Sequence, residues 1–270
     1  MDSKRCKVFL LFTFTLTWLA WWILAYLTRA GLLEFESITG QIIFILGGSA
    51  PTVGAYIAVL LTTNEGTLKE FHSRVLNIKV GFMFYLYAIL APIVLGLAGL
   101  AIAYMTGGLY FEAHTIQPLY FFIPLFFTSI FMGGLEEFGW RGVLQPALTK
   151  KLSLFTANII IGITWAFWHL PLFYVAGAHH EGKPFLFFTL GAIGYSSFIT
   201  WLYAKTNSIF LCVLFHASIN AAAATGLSVS MSAATVYPYY AIVVMLSGLI
   251  FLAVMSQRDG GLSQEKGVKS

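Results

Sequence analysis

Apolar residues run in long blocks, and polar residues gather in the gaps between them. Blocks at 8–28, 38–62, 80–105, from about 118 onward, 154–175, 185–204, 208–226 and 236–256 stand out. Each is close to the roughly 20 residues that carry a helix across a bilayer. The pattern predicts an all-α, polytopic integral membrane helical bundle with about eight transmembrane helices. The first block follows Lys4, Arg5 and Lys7. It is longer than the h-region of a secretory signal, roughly 7–15 residues, and no small-x-small cleavage site follows it, so it reads as an uncleaved span. No soluble domain, internal repeat or low-complexity stretch interrupts the pattern. The expectation is one transmembrane domain over 1–270, with a catalytic core at about 118–226 and a flexible cytoplasmic tail at 257–270.

Charge orients the bundle. Lys, Arg, Asp and Glu make up 10% of the chain, against roughly 25% in soluble domains. The basic residues alternate by loop. Lys4, Arg5, Lys7, Lys69, Arg74, Lys79, Lys150, Lys151, Lys205, Arg258, Lys266 and Lys269 fall on one side of the eight crossings, and only Arg29 and Lys183 on the other. The basic side is cytoplasmic by the positive-inside rule, which puts both termini there. The expected location is the plasma membrane, as a multi-pass protein. No basic cluster interleaved with aromatics suggests nucleic acid. Cys6 and Cys212 lie in different environments, so neither a disulfide nor a cysteine metal site is expected.

Ionisable groups inside the spans are the informative ones, because each costs at least about 2.5–3.5 kcal/mol to insert. They are Glu136, Glu137, Arg141, His169 and His216, joined by the polar Asn220. Val143, Leu144, Ala147 and Leu148 carry helical spacing past the glutamates to Lys150 and Lys151. The fourth span is therefore expected to run to about 149, kinked near Pro146. At 1.5 Å per residue, Glu136 then lies roughly 20 Å from the cytoplasmic end, His169 roughly 23 Å and His216 roughly 15 Å. The three can meet in one buried cavity. Glu137 and Arg141, at i and i+4, share a helix face and can pair. Glu136 is turned about 100° from that pair and is the carboxylate free to serve as a general base. His216 and Asn220, also i and i+4, can aim two hydrogen-bond donors at one developing oxyanion. His169 can orient a water with Glu136 or ligate a metal.

Glu136-Glu137-x-x-x-Arg141, then His169, then His216-x-x-x-Asn220, resembles the CPBP family of intramembrane proteases, whose best-known members are the type II CAAX prenyl endopeptidases. The resemblance runs from the fourth to the seventh span. It departs from the family pattern at Trp165, where the family usually has Phe; this reads as a change in packing. The resemblance implies that Glu136 activates the attacking water with help from His169, that His216 and Asn220 stabilise the oxyanion, and that Arg141 supports the site through Glu137, itself a candidate catalytic residue. Two mechanisms stay open. In one, Glu136, His169 and His216 hold a metal such as Zn²⁺, the metalloprotease form; in the other, Glu136 acts without metal. The implied partners are a peptide or lipidated protein substrate and the lipid bilayer.

Blander readings compete at single positions. A lone membrane histidine often bonds helix to helix, and a Glu–Arg pair at i,i+4 is usually structural. His179 and His180, with Glu181, read as a solvated loop, and His72 and His114 as loop residues without a role. Gly133 and Gly134 read as close-packing positions or as room for a substrate backbone. A proton-coupled transporter would also carry buried carboxylates and histidines and would show inverted repeats or discontinuous helices. A non-catalytic scaffold or bacteriocin-immunity protein would share the fold without the chemistry. The basic loops around the core permit a site open to the cytoplasm or sideways to lipid.

Overall fold

The computed structural model describes residues 4–65, 67–105, 116–231 and 236–267, with side chains described only to Gln257 in the last stretch. His114 and the side chains of the tail expected to be flexible lie outside the described residues. The described helices are α1 (Lys4–Arg29), α2 (Ile38–Gly48), α3 (Ala50–Leu61), α4 (Leu68–Val75), α5 (Phe82–Met105), α6 (Phe122–Phe131), α7 (Glu137–Gly139), α8 (Gln145–Thr149), α9 (Leu154–Trp168), α10 (Phe185–Thr206), α11 (Ile209–Ala224) and α12 (Tyr237–Gly267). Among the described residues, seven stretches are long and apolar enough to cross a membrane, and Ile209–Ala224 is a shorter apolar helix. The protein is a multi-pass integral membrane bundle. The eighth expected crossing, α11, is short because it is wrapped by protein. Most of its residues from Ile209 to Ala222 are buried, so its ends need not reach lipid headgroups.

Local sequence sets where helices begin and turn. Ser37 caps α2 by accepting from the Gly40 N–H, and Ser153 and Ser208 do the same for α9 and α11, each meeting a donor the first turn leaves unpaired. Ser49 separates α2 from α3, and Pro51 opens α3, where a missing N–H costs nothing. Thr67 and Glu70 form a reciprocal capping box on α4, which starts this short helix. Asn207 takes a left-handed conformation, φ 49°, to end α10.

α10 is the most enclosed span, packed between α9 and α12. Its approach to α12 needs bare backbone. A Cβ on Gly194 would sit 2.4 Å from the Val244 carbonyl oxygen, and one on Gly248 equally close to that of Gly194. Lipid supplies no hydrophobic force between helices, so such close backbone contact carries their association. α11 packs on α5 and α6, and α1 on α2 and α3. Exposed apolar side chains such as Leu19, Leu46, Phe82 and Phe127 face outward, as a lipid-facing surface requires.

The fourth span differs from its expected form. Pro146 lies at the start of α8, directly after a π turn. The span breaks after Met132, at Gly133, with φ 147°, a conformation only glycine adopts without strain. Beyond the break the chain continues as a 3₁₀ turn (Gly134–Glu136), the short α7, a π turn (Trp140–Leu144) and α8. π turns inside helices often mark functional sites; this one carries Arg141.

Candidate active site

The break at Gly133 turns two consecutive glutamates toward different partners. Glu136 is buried, and its Oε2 accepts two indole N–H groups, from Trp165 at 2.8 Å and from Trp140 at 3.3 Å. It has no cationic partner among the described ion pairs. Both indoles meet the same oxygen, which leaves Oε1 for a water in the cavity that Glu136 lines. Glu137 faces the other way. Its Oε1 lies 2.9 Å from His216 Nδ1, and its Oε2 3.3 Å from Arg141 Nε. Arg141 is anchored further by Nη2 donating to Ser196 Oγ at 3.1 Å. The result is a buried chain, Ser196–Arg141–Glu137–His216, that holds one imidazole by its Nδ1.

That bond determines what the other imidazole nitrogen can do. With Nδ1–H donated to a carboxylate, neutral His216 presents Nε2 as an acceptor. Once protonated, it presents Nε2–H as a donor, with the charge balanced by Glu137. Asn220 lies one turn along α11, and its Nδ2 donates to the Met132 carbonyl at 3.3 Å. His216 and Asn220 converge on Gly133. A Cβ there would stand 2.3 Å from Asn220 Nδ2 and 3.2 Å from His216 Nε2. The glycine therefore serves the turn and also leaves room for both donors.

His169 ends α9. Its Nδ1 donates to the Trp165 carbonyl at 2.9 Å, so Nε2 is the nitrogen left for water or substrate. Its ring is framed by Trp168, with centroids 4.5 Å apart, Phe188 at 5.1 Å and Trp165 at 5.6 Å. Glu136, His169, His216 and Asn220 line one cavity of about 510 Å³. Arg141 and Glu137 stand behind it.

Three features of the site differ from the sequence reading. Trp165 does more than repack the position where the family usually has Phe: its indole N–H donates to Glu136, which a phenyl ring cannot do. Trp140, one helical turn after Glu136, supplies the second donor, and its i+4 spacing was the available signal. His180 is not a solvated loop residue, for it lines the same cavity with its ring 5.7 Å from that of His169 and 5.3 Å from that of Phe188. Burial in that wall, with His169 and His179 nearby, pushes the pKa of His180 down, so it acts as a neutral ring.

Glu136, His169 and His216 were the candidate metal ligands. Among the described residues, no three His, Cys, Asp or Glu side chains come together closely enough to hold a metal ion. As they stand, these donors do not form a ready metal site, and no step below is routed through one.

Residues 117–222 match the family described as type II CAAX prenyl endopeptidase Rce1-like. This stretch is similar to that family. It contains the broken fourth span, α9, α10 and almost all of α11, and with them every residue of the site. The chain is also 29% identical over 233 residues to CAAX prenyl protease 2 of Methanococcus maripaludis, covering 79% of this chain and 82% of that one. It is 24% identical over 212 residues to lysostaphin resistance protein A of Staphylococcus haemolyticus, covering 77% of this chain and 57% of that one. The protein named the same way in Staphylococcus epidermidis strain RP62A is 23% identical over 190 residues, with 69% and 48% covered. The Rce1-like family is one of membrane proteases, and the site's carboxylate, imidazoles and amide all fall inside the matched stretch.

Proposed function

We propose that the protein is an intramembrane endopeptidase that cleaves membrane-associated polypeptides with a water activated by Glu136. The observation that carries this reading is the arrangement around Glu136. A carboxylate is held by two indole N–H groups on one oxygen, faces a cavity with the other, and shares that cavity with His169, His216 and Asn220.

The residues divide the work as follows. A water bound by Glu136 Oε1 and His169 Nε2 gives a proton to Glu136 as its oxygen bonds to the scissile carbonyl carbon. The carbonyl oxygen takes up the charge and is met by Asn220 Nδ2–H and by protonated His216 Nε2–H. Glu137, fixed by Arg141, keeps His216 in the orientation and charge state that this step needs. Glu136 then returns its proton to the departing amine nitrogen as the C–N bond breaks. Asn220 exchanges its bond to Met132 for one to the oxyanion.

Cleavage of a panel of membrane-tethered and prenylated peptides by purified protein, beside Glu136→Gln and with and without a strong chelator, tests this reading. Cleavage by the parent and none by the variant is expected, with or without chelator. Equal cleavage by both overturns the role of Glu136. Loss on chelation, restored by Zn²⁺, reassigns Glu136, His169 and His216 as ligands.

Two other readings each have an observation in their favour. The broken fourth span is a feature that a proton-coupled transporter also shows, and two of the relatives are named for resistance rather than proteolysis. Both require the peptides to survive intact.

A further inference from the structure

The cavity extends beyond the groups that the reaction uses. Past His169 and Asn220 it runs on as a side pocket between α10, α11 and α12. Phe188, Gly191 and Tyr195 line it from α10, and Tyr237 and Tyr240 from α12. In each set the residues are three, four or seven apart, so they share one helix face. Ala223 and Ala224, three and four residues after Asn220, continue that face of α11 into the pocket. Phe188 packs on His169, with ring centroids 5.1 Å apart, so the pocket opens directly beside the reacting groups. Gly191 lies about 4.5 Å further along α10. A Cβ there would stand 3.7 Å from the Tyr237 hydroxyl, which puts the first phenol one helical turn from the His169 wall.

The sides of the pocket are small and its end is polar. Ala223 and Ala224 stay exposed although they line the cavity. α5 braces the far wall, where a Cβ on Gly99 would collide with the Tyr240 ring. Three phenols gather at the end. Tyr195 and Tyr240 hydrogen-bond to each other through their hydroxyls. That bond uses one of their two protons and leaves the other to donate. Tyr237 is 7% exposed and lines the cavity, and its hydroxyl has no hydrogen-bond partner among the described residues. A buried hydroxyl is costly unless something bonds it, and no step of the proposed reaction touches these three. Of Lys, Arg, Asp and Glu, the described cavity wall contains only Glu136. A charged side chain would enter the pocket without a counter-ion, at a high cost.

We propose that this pocket is a specificity subsite for one substrate residue beside the scissile bond, and that it takes a long, uncharged side chain ending in a hydrogen-bonding group, with glutamine the best match. The glutamine carboxamide accepts from the free phenol protons and donates to the phenol oxygens. Its methylenes lie along the small residues of the wall. Methionine has the same reach, but its thioether is a weak acceptor and no donor. A site built to bond a substrate group discriminates against an analogue that lacks it, because its own polar groups are then left unpaired. Tyr237 and the Tyr195–Tyr240 pair thereby set the specificity. The proposal rests on the endopeptidase reading for the reaction and goes beyond it in naming the residue recognised.

Membrane-tethered peptides carrying Gln, Met, Ala, Glu or Lys at each position in turn around the cut, incubated with purified protein, test the pocket. At one position the parent is expected to favour Gln over Met by about tenfold in kcat/KM, the worth of one or two neutral hydrogen bonds, and to reject Glu and Lys. Tyr237→Phe keeps the ring and removes the hydroxyl. It is expected to bring the Gln-to-Met ratio near one by slowing the Gln peptide more. Ala223→Leu narrows the pocket from an exposed position and is expected to lose the Gln and Met peptides while the Ala peptide is still cut. Absence of a Gln preference at every position overturns the proposal, as does a ratio unchanged in Tyr237→Phe. Binding separates recognition from chemistry. Glu136→Gln, alone and with Tyr237→Phe, is titrated with fluorescent Gln and Met peptides, and the same preference, lost with the second substitution, is expected in the affinities. If the parent cuts no peptide, the endopeptidase reading fails and these affinities decide the pocket alone; equal affinities overturn it.

Discussion

The basic-loop end and the cavity end of this bundle treat buried polarity in opposite ways. At the basic-loop end, polar side chains bond mainly to one another and to backbone. Asn158 spans Ser197 and Thr200, Gln145 reaches the Thr200 carbonyl, and Arg5 grips Thr62 at both its hydroxyl and its carbonyl. At the cavity end, Glu136, His169 and His216 are each held through one atom, and all three line a cavity. Both ends bear the insertion cost of polar groups. In one the groups are mostly paired and fix helix positions, although Gln145 Oε1 is buried without a partner; in the other they keep free bonding capacity on a cavity. Burial and polarity alone do not mark a membrane active site, whereas a half-satisfied group on a cavity does.

The largest effect expected from breaking this division is that of Glu136→Gln. Cleavage should fall by roughly 10²–10⁴, the usual worth of a general base. The thermal midpoint in detergent should hold, because glutamine retains an acceptor for the two indoles. Unfolding of this variant would move Glu136 into the structural class. Arg141→Ala should do the reverse. It leaves Glu137 buried with His216 alone, and breaking a buried pair costs about 3–5 kcal/mol. A clear drop in the midpoint is expected, and a stable but inactive variant would show Arg141 to be part of the chemistry instead.

Trp165→Phe gives a sharper, smaller contrast. The ring survives and the donor goes. A hydrogen bond to a charged group contributes about 1.5–3 kcal/mol, so kcat should fall roughly tenfold to a hundredfold with little change in stability. A parental rate would mean that Trp140 alone positions Glu136. The smallest effect belongs to Arg74→Ala, away from the cavity. It removes one hydrogen bond to Tyr203, about 1 kcal/mol, and should shift the midpoint slightly while cleavage stays unchanged.

Much of the bundle was legible from periodicity because the bilayer sets a length and forbids unpaired backbone. The spans and their boundaries agree to within a few residues, except where protein replaces lipid as the surroundings, as around α11. The pairing of Glu137 with Arg141, and the turning of Glu136 away from it, followed from helix geometry alone. The break at Gly133 did not. Gly133-Gly134 marked a place where the helix could break, but the reading as close-packing positions missed it, because the reason for the break lies on α11, in the close approach of Asn220 and His216.

The amino-acid sequence by itself determined a helical membrane protein, the alternation of its basic loops, and the short set of residues costly enough to mean something. Those are consequences of composition, length and charge against a bilayer. Tertiary structure alone decided which oxygen of Glu136 is held and by which indoles, that His216 is gripped by its Nδ1, that His180 belongs to the cavity, and that the cavity reaches Ser228 to Met231. These are contacts between residues far apart in the chain, and each depends on how close two helices come, which no local pattern records.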